Sequence, residues 1–142
     1  MIRPADISDA AVMAEVLSGW IDATPWMPRI HTRAEDFAFC QKLINTREVW
    51  VADSQDGFGF LARQADSIDA LYLAPELRRK GWGTALLDAV KQDREQLTLW
   101  TFQASKNAIA FYEANKFHIS DLTDGQGNEE KLPDAFMTWT KD

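Results

Sequence analysis

The segment ELRRKGWGTALL, residues 76–87, constrains the fold of this chain more than any other stretch. Three consecutive cations run into two glycines, Gly81 and Gly83, and an amphipathic helical pattern follows at once. A strand-like segment, SIDALYLAP, comes directly before the cations and ends at Pro75. The first N–H groups of a helix have no partner within the helix, and the helix dipole makes that end attractive to anions. The segment therefore predicts a phosphate-binding junction between a strand and a helix.

The cations of this segment contrast with the rest of the chain, which carries a net charge of -7 at pH 7. That charge argues against general nucleic-acid binding and mildly favours a cationic partner, although many proteins are acidic only for solubility. No apolar run approaches the ~18 residues of a membrane span, and the first residues lack the apolar stretch of a secretion signal. Cys40, the single cysteine, has no partner for an internal disulfide and is expected to be buried. We therefore expect a cytoplasmic protein without a membrane or nucleic-acid partner.

The spacing of apolar residues predicts one α/β domain over residues 1–142. Hydrophobic residues make up 46% of the chain, which is enough for a single core at this length. Asp-Gly in the SQDG segment favours a tight hairpin turn with positive backbone angles between two strands. We predict seven strands, at residues 2–5, 48–53, 57–64, 67–75, 96–102, 117–122 and 135–141. We also predict four helices: one that begins at Ser8, one that begins after Thr32, one that follows the glycines and ends at about Lys91, and one over residues 105–116.

Capping signals mark the starts of the first two predicted helices. Ser8 or Asp9 is expected to cap the first helix. Thr32 and Glu35 have the spacing of a capping box at the start of the second helix. The buried face of the second helix is predicted to comprise Phe37, Cys40 and Ile44.

The spacing of the two glycines separates the junction from other phosphate-binding motifs. The P-loop spacing is absent, and the dinucleotide fingerprint fails because Leu86 stands at its third glycine. What remains is R-x-x-G-x-G from Arg78 to Gly83, after a strand that ends in YLAPE. This pattern closely resembles the acetyl-CoA signature of the GNAT superfamily of N-acetyltransferases. The order of predicted elements fits that family over essentially the whole chain, FYEANKF resembles its second motif, and GNEEKLPDAFMTW looks like one bacterial subgroup of unassigned substrate.

The resemblance implies a GNAT fold, with a mixed, mostly antiparallel sheet of about seven strands flanked by about four helices. In this fold the fourth and fifth strands splay apart, and the pantetheine arm of acetyl-CoA enters the gap. The N–H of Leu73 is then implied to stabilise the oxyanion. Acetyl-CoA is the implied co-substrate, and no metal is required. The implied contacts with acetyl-CoA are Leu71, Tyr72, Leu73, Arg78, Arg79, Lys80, Gly81, Trp82, Gly83, Thr84, Ser105 and Asn107.

Three positions depart from the family pattern. Arg79 stands where the cradle, our name for residues 78–84, often has glycine. Ser105 stands where the family often has an asparagine that bonds the pantetheine arm, and Asn107 is the nearest asparagine. Lys116 replaces the usual glycine of the second motif. Arg79 makes the loop bulkier than usual, Ser105 offers only a hydroxyl for the contact with the pantetheine arm, and Lys116 is expected to affect only the helix end.

Transfer of an acetyl group to an amine poses two proton problems. An alkylamine, with a pKa near ~10.4, arrives protonated, and the departing thiolate needs a proton. Tyr112 resembles the family tyrosine near the sulfur and is expected to donate a proton or a hydrogen bond, although an aromatic ring packed between helix and sheet would give the same pattern. The candidate bases are Asp69, which alternation places on one strand face with Leu71 and Leu73, and His31. The resemblance also implies a substrate-side position for His31, because its loop follows the first helix, where substrates of the family usually lie. Both are equally consistent with solvent-facing positions.

The acceptor side is less well defined by the sequence. Trp26 and Trp100, together with Trp139, are candidate walls of an amine pocket, although tryptophans in strands often belong to the core. Glu129, beside Glu130, is a candidate for attracting a cation. The expected acceptor is a small-molecule amine or a peptide amine. The alternative function is a CoA-binding or regulatory module without catalysis.

The last predicted strand, AFMTWTK, is apolar and aromatic. As the edge of a sheet it would expose unpaired backbone groups beside apolar side chains. Many members of the superfamily pair through their later strands, so a homodimer is a further expectation.

Overall fold

The computed structural model describes residues 1–142 and contains seven strands and four α-helices. The strands are β1 (Ile2–Pro4), β2 (Glu48–Ser54), β3 (Gly57–Gln64), β4 (Ser67–Leu73), β5 (Gln96–Phe102), β6 (His118–Thr123) and β7 (Asp134–Thr140). The helices are α1 (Ala10–Ala23), α2 (Arg33–Thr46), α3 (Trp82–Lys91) and α4 (Lys106–Ala114). The strands form one mixed sheet in the order β1-β2-β3-β4-β5-β7-β6, in which only β4 and β5 are parallel neighbours. This architecture confirms the predicted fold class and element order.

The sheet buries a hydrophobic core on each of its faces. Helices α1 and α2 cover one face, where Met13, Cys40 and Phe60 are fully buried. Helices α3 and α4 cover the other face, where Leu86 and Leu97 are fully buried. Burial raises the pKa of the Cys40 thiol to about 12, so the cysteine behaves as a neutral core residue, as its position on an apolar helix face predicts. Each helix is too short or too polar to cross a membrane.

The first two helices begin with different capping arrangements. Thr32 and Glu35 form the predicted capping box of α2, because the Glu35 N–H donates to the Thr32 hydroxyl at 3.1 Å and the Thr32 N–H donates to the Glu35 carboxylate at 2.9 Å. Asp9 occupies the predicted N-cap position of α1, but its side chain makes no capping hydrogen bond to that helix. The Asp9 carboxylate is instead held by Arg3 at 2.9 Å, and a short 3₁₀ turn precedes the helix.

The buried face of α2 is rotated from the predicted one. Phe37 is 38% exposed, whereas Asp36 is buried beside Cys40. The Asp36 carboxylate tolerates burial because Ser18 Oγ donates to it at 2.5 Å and Arg29 Nη1 at 3.1 Å. A polar network thus occupies the place that apolar spacing assigned to Phe37.

A β-bulge in β4 opens the sheet beside β5. The register between β3 and β4 shifts by one residue, which leaves Asp69 without a partner in β3. Only Ser67 and Ile68 of β4 pair with β5, so the two strands part directly after the bulge, which bends the strand. The predicted splay is therefore present. The predicted face of Asp69 is wrong, because the bulge makes Ile68 the residue that shares a core with Leu71 and Leu73.

The last strand does not lie at an edge of the sheet. Strand β7 lies between β5 and β6, and its Ala135, Met137 and Trp139 are buried. The edges are β1 and β6. The argument that an exposed final strand drives dimerisation is therefore wrong, and the homodimer stays a prediction without that support.

Positive φ angles occur at places other than the predicted turn. The SQDG turn closes the β2–β3 hairpin as predicted, but none of its residues has a positive φ. Lys116 has a φ of 74° directly after α4. There the Phe117 N–H donates to the Tyr112 oxygen at 3.0 Å, and the Lys116 N–H donates to the Glu113 oxygen at 3.1 Å. These bonds form a Schellman motif, which favours glycine at this position, so the lysine strains the helix end.

Candidate active site

The cradle connects the end of β4 to the start of α3. Gly81 is the N-cap residue of α3 and has a φ of 88°, a left-handed conformation that side chains disfavour. No atom lies within 4 Å of the place that a Cβ would take on Gly81, so the helix N-terminus is open to an anion. Arg79 also has a positive φ, of 63°. That backbone angle explains why glycine suits this position of the motif better than arginine.

The absence of a side chain at Gly83 is required first for the packing of α3 against α4. A Cβ on Gly83 would lie 2.8 Å from Cζ of Phe111 and 3.0 Å from Cε1. Phe111 belongs to α4, so the missing side chain allows α3 and α4 to approach each other. A larger residue at this position would displace Phe111 first, and any effect on phosphate binding would follow from that displacement.

The three cations of the cradle have different surroundings. Arg78 donates from Nε and Nη2 to the Leu73 carbonyl oxygen at 3.3 and 3.1 Å, which ties the cradle to the end of β4. Lys80 Nζ lies 3.9 Å from an Asp56 carboxylate oxygen, a loose and exposed pair. Arg79 is exposed and pairs with no carboxylate. Arg79 is therefore the cation that is most available to a phosphate.

A cleft of about 1170 Å³ opens where β4 and β5 part. The cradle and α4 line one side of the cleft, and the end of α1 with the following loop lines another. Two of the residues predicted to contact acetyl-CoA, Lys80 and Trp82, do not line it, and Trp82 packs against the core instead. The other predicted contacts line the cleft: Leu71, Tyr72, Leu73, Arg78, Arg79, Gly81, Gly83, Thr84, Ser105 and Asn107.

The backbone of β4 presents polar groups to the cleft. In an antiparallel pair, alternate residues direct their N–H and C=O groups at the partner strand. The Ala74 N–H donates to the Phe58 oxygen at 2.9 Å, so the residue after β4 faces β3. By alternation, the polar groups of Leu71 and Leu73 point to the side from which β5 has separated. The bond that the Leu73 oxygen accepts from Arg78 lies on that side too.

Tyr112 lines the cleft with a buried ring and an uncommitted hydroxyl. The residue is 8% exposed, and its ring packs against Phe111 and Phe117 with centroid separations of 5.3 and 5.6 Å. The hydroxyl makes no hydrogen bond within the protein, yet it is not sealed from solvent. Burial, with a smaller contribution from the charge of Tyr72, raises the pKa of Tyr112. The hydroxyl therefore keeps its proton at neutral pH and is suited to donate a hydrogen bond into the cleft.

Asp69 lines the cleft but already has two partners. Arg47 Nε donates to one carboxylate oxygen at 2.6 Å, and Ser67 Oγ donates to the other at 3.2 Å. Arg47 directly follows α2, so the ion pair joins the end of that helix to the bulge in β4. Both oxygens of Asp69 are thus engaged by the protein.

Aromatic rings form the wall of the cleft on the α1 side. Ring centroids lie 5.3 Å apart for Trp20 and Tyr72, 5.9 Å for Trp20 and Trp26, and 5.8 Å for Trp26 and Phe102. All four residues line the cleft. Sequence reasoning identified Trp26 as a wall but missed this role of Trp20 and Phe102, because helical and strand spacing mark a ring as apolar without separating a core from a cleft.

The other two candidate tryptophans occupy different positions. Trp100 on β5 is 53% exposed, lines the cleft and packs against Phe136 in a tilted arrangement with a centroid distance of 4.9 Å. Trp139 is buried in the core, where Lys91 Nζ lies 5.0 Å from its ring centroid. The interpretation of Trp139 as a pocket wall is therefore wrong, because its strand lies inside the sheet.

His31 and Glu129 contact each other outside the cleft. Nε2 of His31 lies 2.5 Å from Oε1 of Glu129, which joins the α1–α2 loop to the β6–β7 loop. A Glu35 carboxylate oxygen lies 3.7 Å from the other ring nitrogen. The hydrogen bond with Glu129 is the main cause that raises the pKa of His31. Two residues that the sequence suggests for the acceptor site thus bind each other, and neither lines the cleft.

A mixed sheet that parts between two parallel strands, beside a helix N-terminus left open by glycine, defines a class of enzyme. The gap exposes strand backbone to an extended ligand arm, and the helix start suits the phosphates at the far end of that arm. Acyl-CoA-dependent N-acetyltransferases share this arrangement.

Comparisons with known proteins agree with that class. The family profile described as "Acetyltransferase (GNAT) domain" matches residues 45–119. The peptidyl-lysine N-acetyltransferase YiaC of Escherichia coli K12 is 32% identical, over 98% of this chain and 96% of its own length. The chain therefore belongs to the GNAT family of acetyltransferases and is an acyl-CoA-dependent N-acetyltransferase.

Two solved structures illustrate the shared fold. A GCN5-related N-acetyltransferase from Rhodopseudomonas palustris superposes with a TM-score of 0.81 at 24% identity, over 99% of this chain and 95% of the other. The Salmonella typhimurium protein yncA, solved with its cofactor acetyl-CoA, superposes with a TM-score of 0.73 at 19% identity, over 100% of this chain and 94% of the other.

Proposed function

We propose that the protein transfers an acetyl group from acetyl-CoA to the ε-amine of a lysine in a peptide, by direct attack of the amine. The observation that carries the proposal is the separated edge of β4, where the backbone groups of Leu71 and Leu73 face a cleft that the Tyr112 hydroxyl also lines. The name of the relative YiaC, a peptidyl-lysine N-acetyltransferase, favours a peptide lysine over a small-molecule amine.

The donor is held at two places in this proposal. The open N–H groups at the start of α3 and the cation of Arg79 bind its phosphates. The polar groups of Leu71 and Leu73 pair with its extended arm, as a neighbouring strand would. The Ser105 hydroxyl makes no capping bond to α4 and lines the cleft, so it is available for a further hydrogen bond. When bound, acetyl-CoA supplies the activated acyl group.

The protein contributes two hydrogen-bond donors to the chemistry. The Leu73 N–H stabilises the negative charge that develops on the acyl oxygen. The protonated Tyr112 hydroxyl donates to the departing sulfur. The raised pKa of Tyr112 keeps this hydroxyl protonated at neutral pH, so it contributes a hydrogen bond to the sulfur, and the departing thiolate takes its proton from water.

The amine itself loses its proton to water in the cleft. We do not assign Asp69 as the base, because its carboxylate is held by an ion pair with Arg47 and a hydrogen bond from Ser67. His31 does not line the cleft and pairs with Glu129. We therefore give Asp69 a positioning role, in which its ion pair with Arg47 holds the bulge where β4 and β5 part.

The acceptor lysine enters along the aromatic wall. The carbon stem of a lysine packs well against indole and phenyl rings, and its ammonium is attracted to their faces. Trp20, Trp26 and Phe102 offer such faces on the side of the cleft opposite the donor's helix.

The test is a turnover assay with acetyl-CoA and a peptide whose N-terminus is blocked and whose single lysine is the only amine. We expect free CoA and acetyl-lysine to form in equal amounts, as followed by a thiol reagent and by mass spectrometry. The same peptide with arginine in place of lysine is the matched control and should not react. Turnover on small amines without turnover on the peptide would contradict the peptide acceptor. Binding of CoA without turnover on any amine would contradict catalysis.

A further inference from the structure

A second cavity, of about 470 Å³, adjoins the acceptor side of the cleft. Trp100, Thr101 and Phe102 of β5 line both spaces, so the second cavity continues the surface along which an acceptor would lie. The remaining lining residues belong to the β6–β7 loop and to the strand ends beside it, and they are Thr123, Gly127, Asn128, Glu130 and Asp134.

The carboxylates near this cavity differ in whether the protein already uses them. Both oxygens of Asp134 are engaged, one by the Thr123 hydroxyl and the other by Asn128 Nδ2 at 3.1 Å. Glu129 is bound by His31 outside the cavity. Glu130 is half-buried and lines the cavity, and it has no hydrogen bond or ion pair. Glu130 is therefore the carboxylate in this cavity that is left for a ligand.

Two further observations agree with a cationic ligand at this place. Trp100 is 53% exposed, and indole faces attract cations. The negative charge of Glu130 also acts on the cleft, because burial and, to a smaller extent, this charge raise the pKa of Tyr72 to about 12. A net charge of -7 draws cations to the protein in general, and an unpaired carboxylate beside an exposed indole gives that attraction a defined site.

We propose that the second cavity binds a cationic side chain, lysine or arginine, that neighbours the reacting lysine in the acceptor peptide. Glu130 pairs with the positive charge, and the Trp100 ring covers the carbon stem that carries it. This inference rests on the proposed function and adds a sequence preference to it: peptides with a second cation near the acceptor lysine are the better substrates.

The test compares peptides that differ by one charge. Each peptide has a blocked N-terminus, one acceptor lysine and one arginine placed in turn at each neighbouring position, and each is matched by a peptide with citrulline, the neutral isostere of arginine. At the best position we expect kcat/KM of the wild-type protein to favour arginine about three- to tenfold, through KM, since the contact forms on binding and not at the reacting atoms. The preference should shrink at high salt.

Two variants separate the local contact from the general charge of the protein. Glu130→Gln should remove the preference for arginine, so that the arginine and citrulline peptides react with equal kcat/KM. Glu113→Gln removes the same charge from an exposed position on α4 outside both cavities, and it should keep the preference. Equal rates for arginine and citrulline peptides in the wild-type protein at every position would overturn the inference, and so would an undiminished preference in Glu130→Gln.

Failure of the proposed function gives a different result. If the wild-type protein acetylates no peptide, the peptide acceptor is wrong, and calorimetry still tests the cavity directly. The arginine peptide should then bind the wild-type protein more tightly than Glu130→Gln by a similar factor. Equal affinities of the two proteins would overturn the inference independently of catalysis.

Discussion

Substitution of Arg79 separates two roles that this residue combines in the cradle. It has a φ of 63°, and it carries a cation that pairs with no carboxylate. Arg79→Ala removes the charge and keeps the backbone strain, whereas Arg79→Gly removes both. A left-handed L-residue costs about 1–2 kcal/mol, and the greater freedom of glycine in the unfolded chain returns about 0.5–1 kcal/mol of that. We therefore expect Arg79→Gly to be more stable than Arg79→Ala by about 0.5–1 kcal/mol.

Thermal unfolding without ligand measures this difference. An unfolding entropy of about 2.1 cal/mol/K per residue gives about 0.3 kcal/mol/K for a chain of 142 residues. The expected separation between the two variants is then about 2–3 °C in Tm. Equal melting temperatures would refute the argument that the backbone of the cradle is strained at this residue.

Binding of CoA measures the other role of Arg79. Both variants lose the same charge, so both should bind CoA about two- to fivefold more weakly than the wild-type protein at low salt, as expected for one exposed ion pair. The deficit should nearly vanish at about 1 M salt, where screening acts over about 3 Å. Calorimetry at two salt concentrations gives both values. An unchanged Kd in both variants would remove Arg79 from the phosphate site.

Three further predictions follow from the site and its surroundings. Tyr112→Phe should lower kcat by roughly 10- to 1000-fold with little change in CoA affinity, since only the hydroxyl is lost. An unchanged kcat in steady-state kinetics, with chemistry rate-limiting, would contradict this role. Lys116→Gly should raise the free energy of unfolding by about 0.5–1 kcal/mol, and Lys116→Ala should not, because only glycine relieves the φ of 74°; denaturant titration decides between them. Because the pKa of His31 is raised, its contact with Glu129 stabilises the fold fully below about pH 6.5, and this stabilisation is lost as pH rises through the folded-state pKa. The variant His31→Gln should therefore lose this pH dependence in thermal unfolding. An unshifted pKa of His31, measured by NMR titration, would contradict the prediction.

Local signals in the sequence predicted most of the elements. The capping box of Thr32 and Glu35 and the glycine at the start of α3 rest on interactions within a few residues, and the structure contains both. Strands β4 and β5 pair at only two residues each, which agrees with the splay that the resemblance implied. These features depend on chain neighbours or on a family pattern, so a single sequence suffices to find them.

Features that depend on contacts between residues distant in the chain could not be predicted from the sequence. Alternation placed Asp69 on the wrong face, because a bulge breaks the period of two and leaves no mark in the residue types. Gly83 was assigned to the phosphate alone, since only the tertiary structure shows that Phe111 needs the space. His31 and Glu129 are 98 residues apart, and their contact exists only because two loops meet. The position of β7 inside the sheet, between β5 and β6, likewise follows from strand order, which composition does not encode.

The central claim is that the parted strands hold an acyl donor for transfer to a peptide lysine. The most direct measurement is the rate of acetyl-lysine formation on a single-lysine peptide with a blocked N-terminus, under many turnovers, with CoA release followed in parallel. We predict that CoA and acetyl-lysine form in equal amounts and that many product molecules form per enzyme molecule. Tight binding of acetyl-CoA with no acetyl-lysine, while the peptide remains intact, would contradict it.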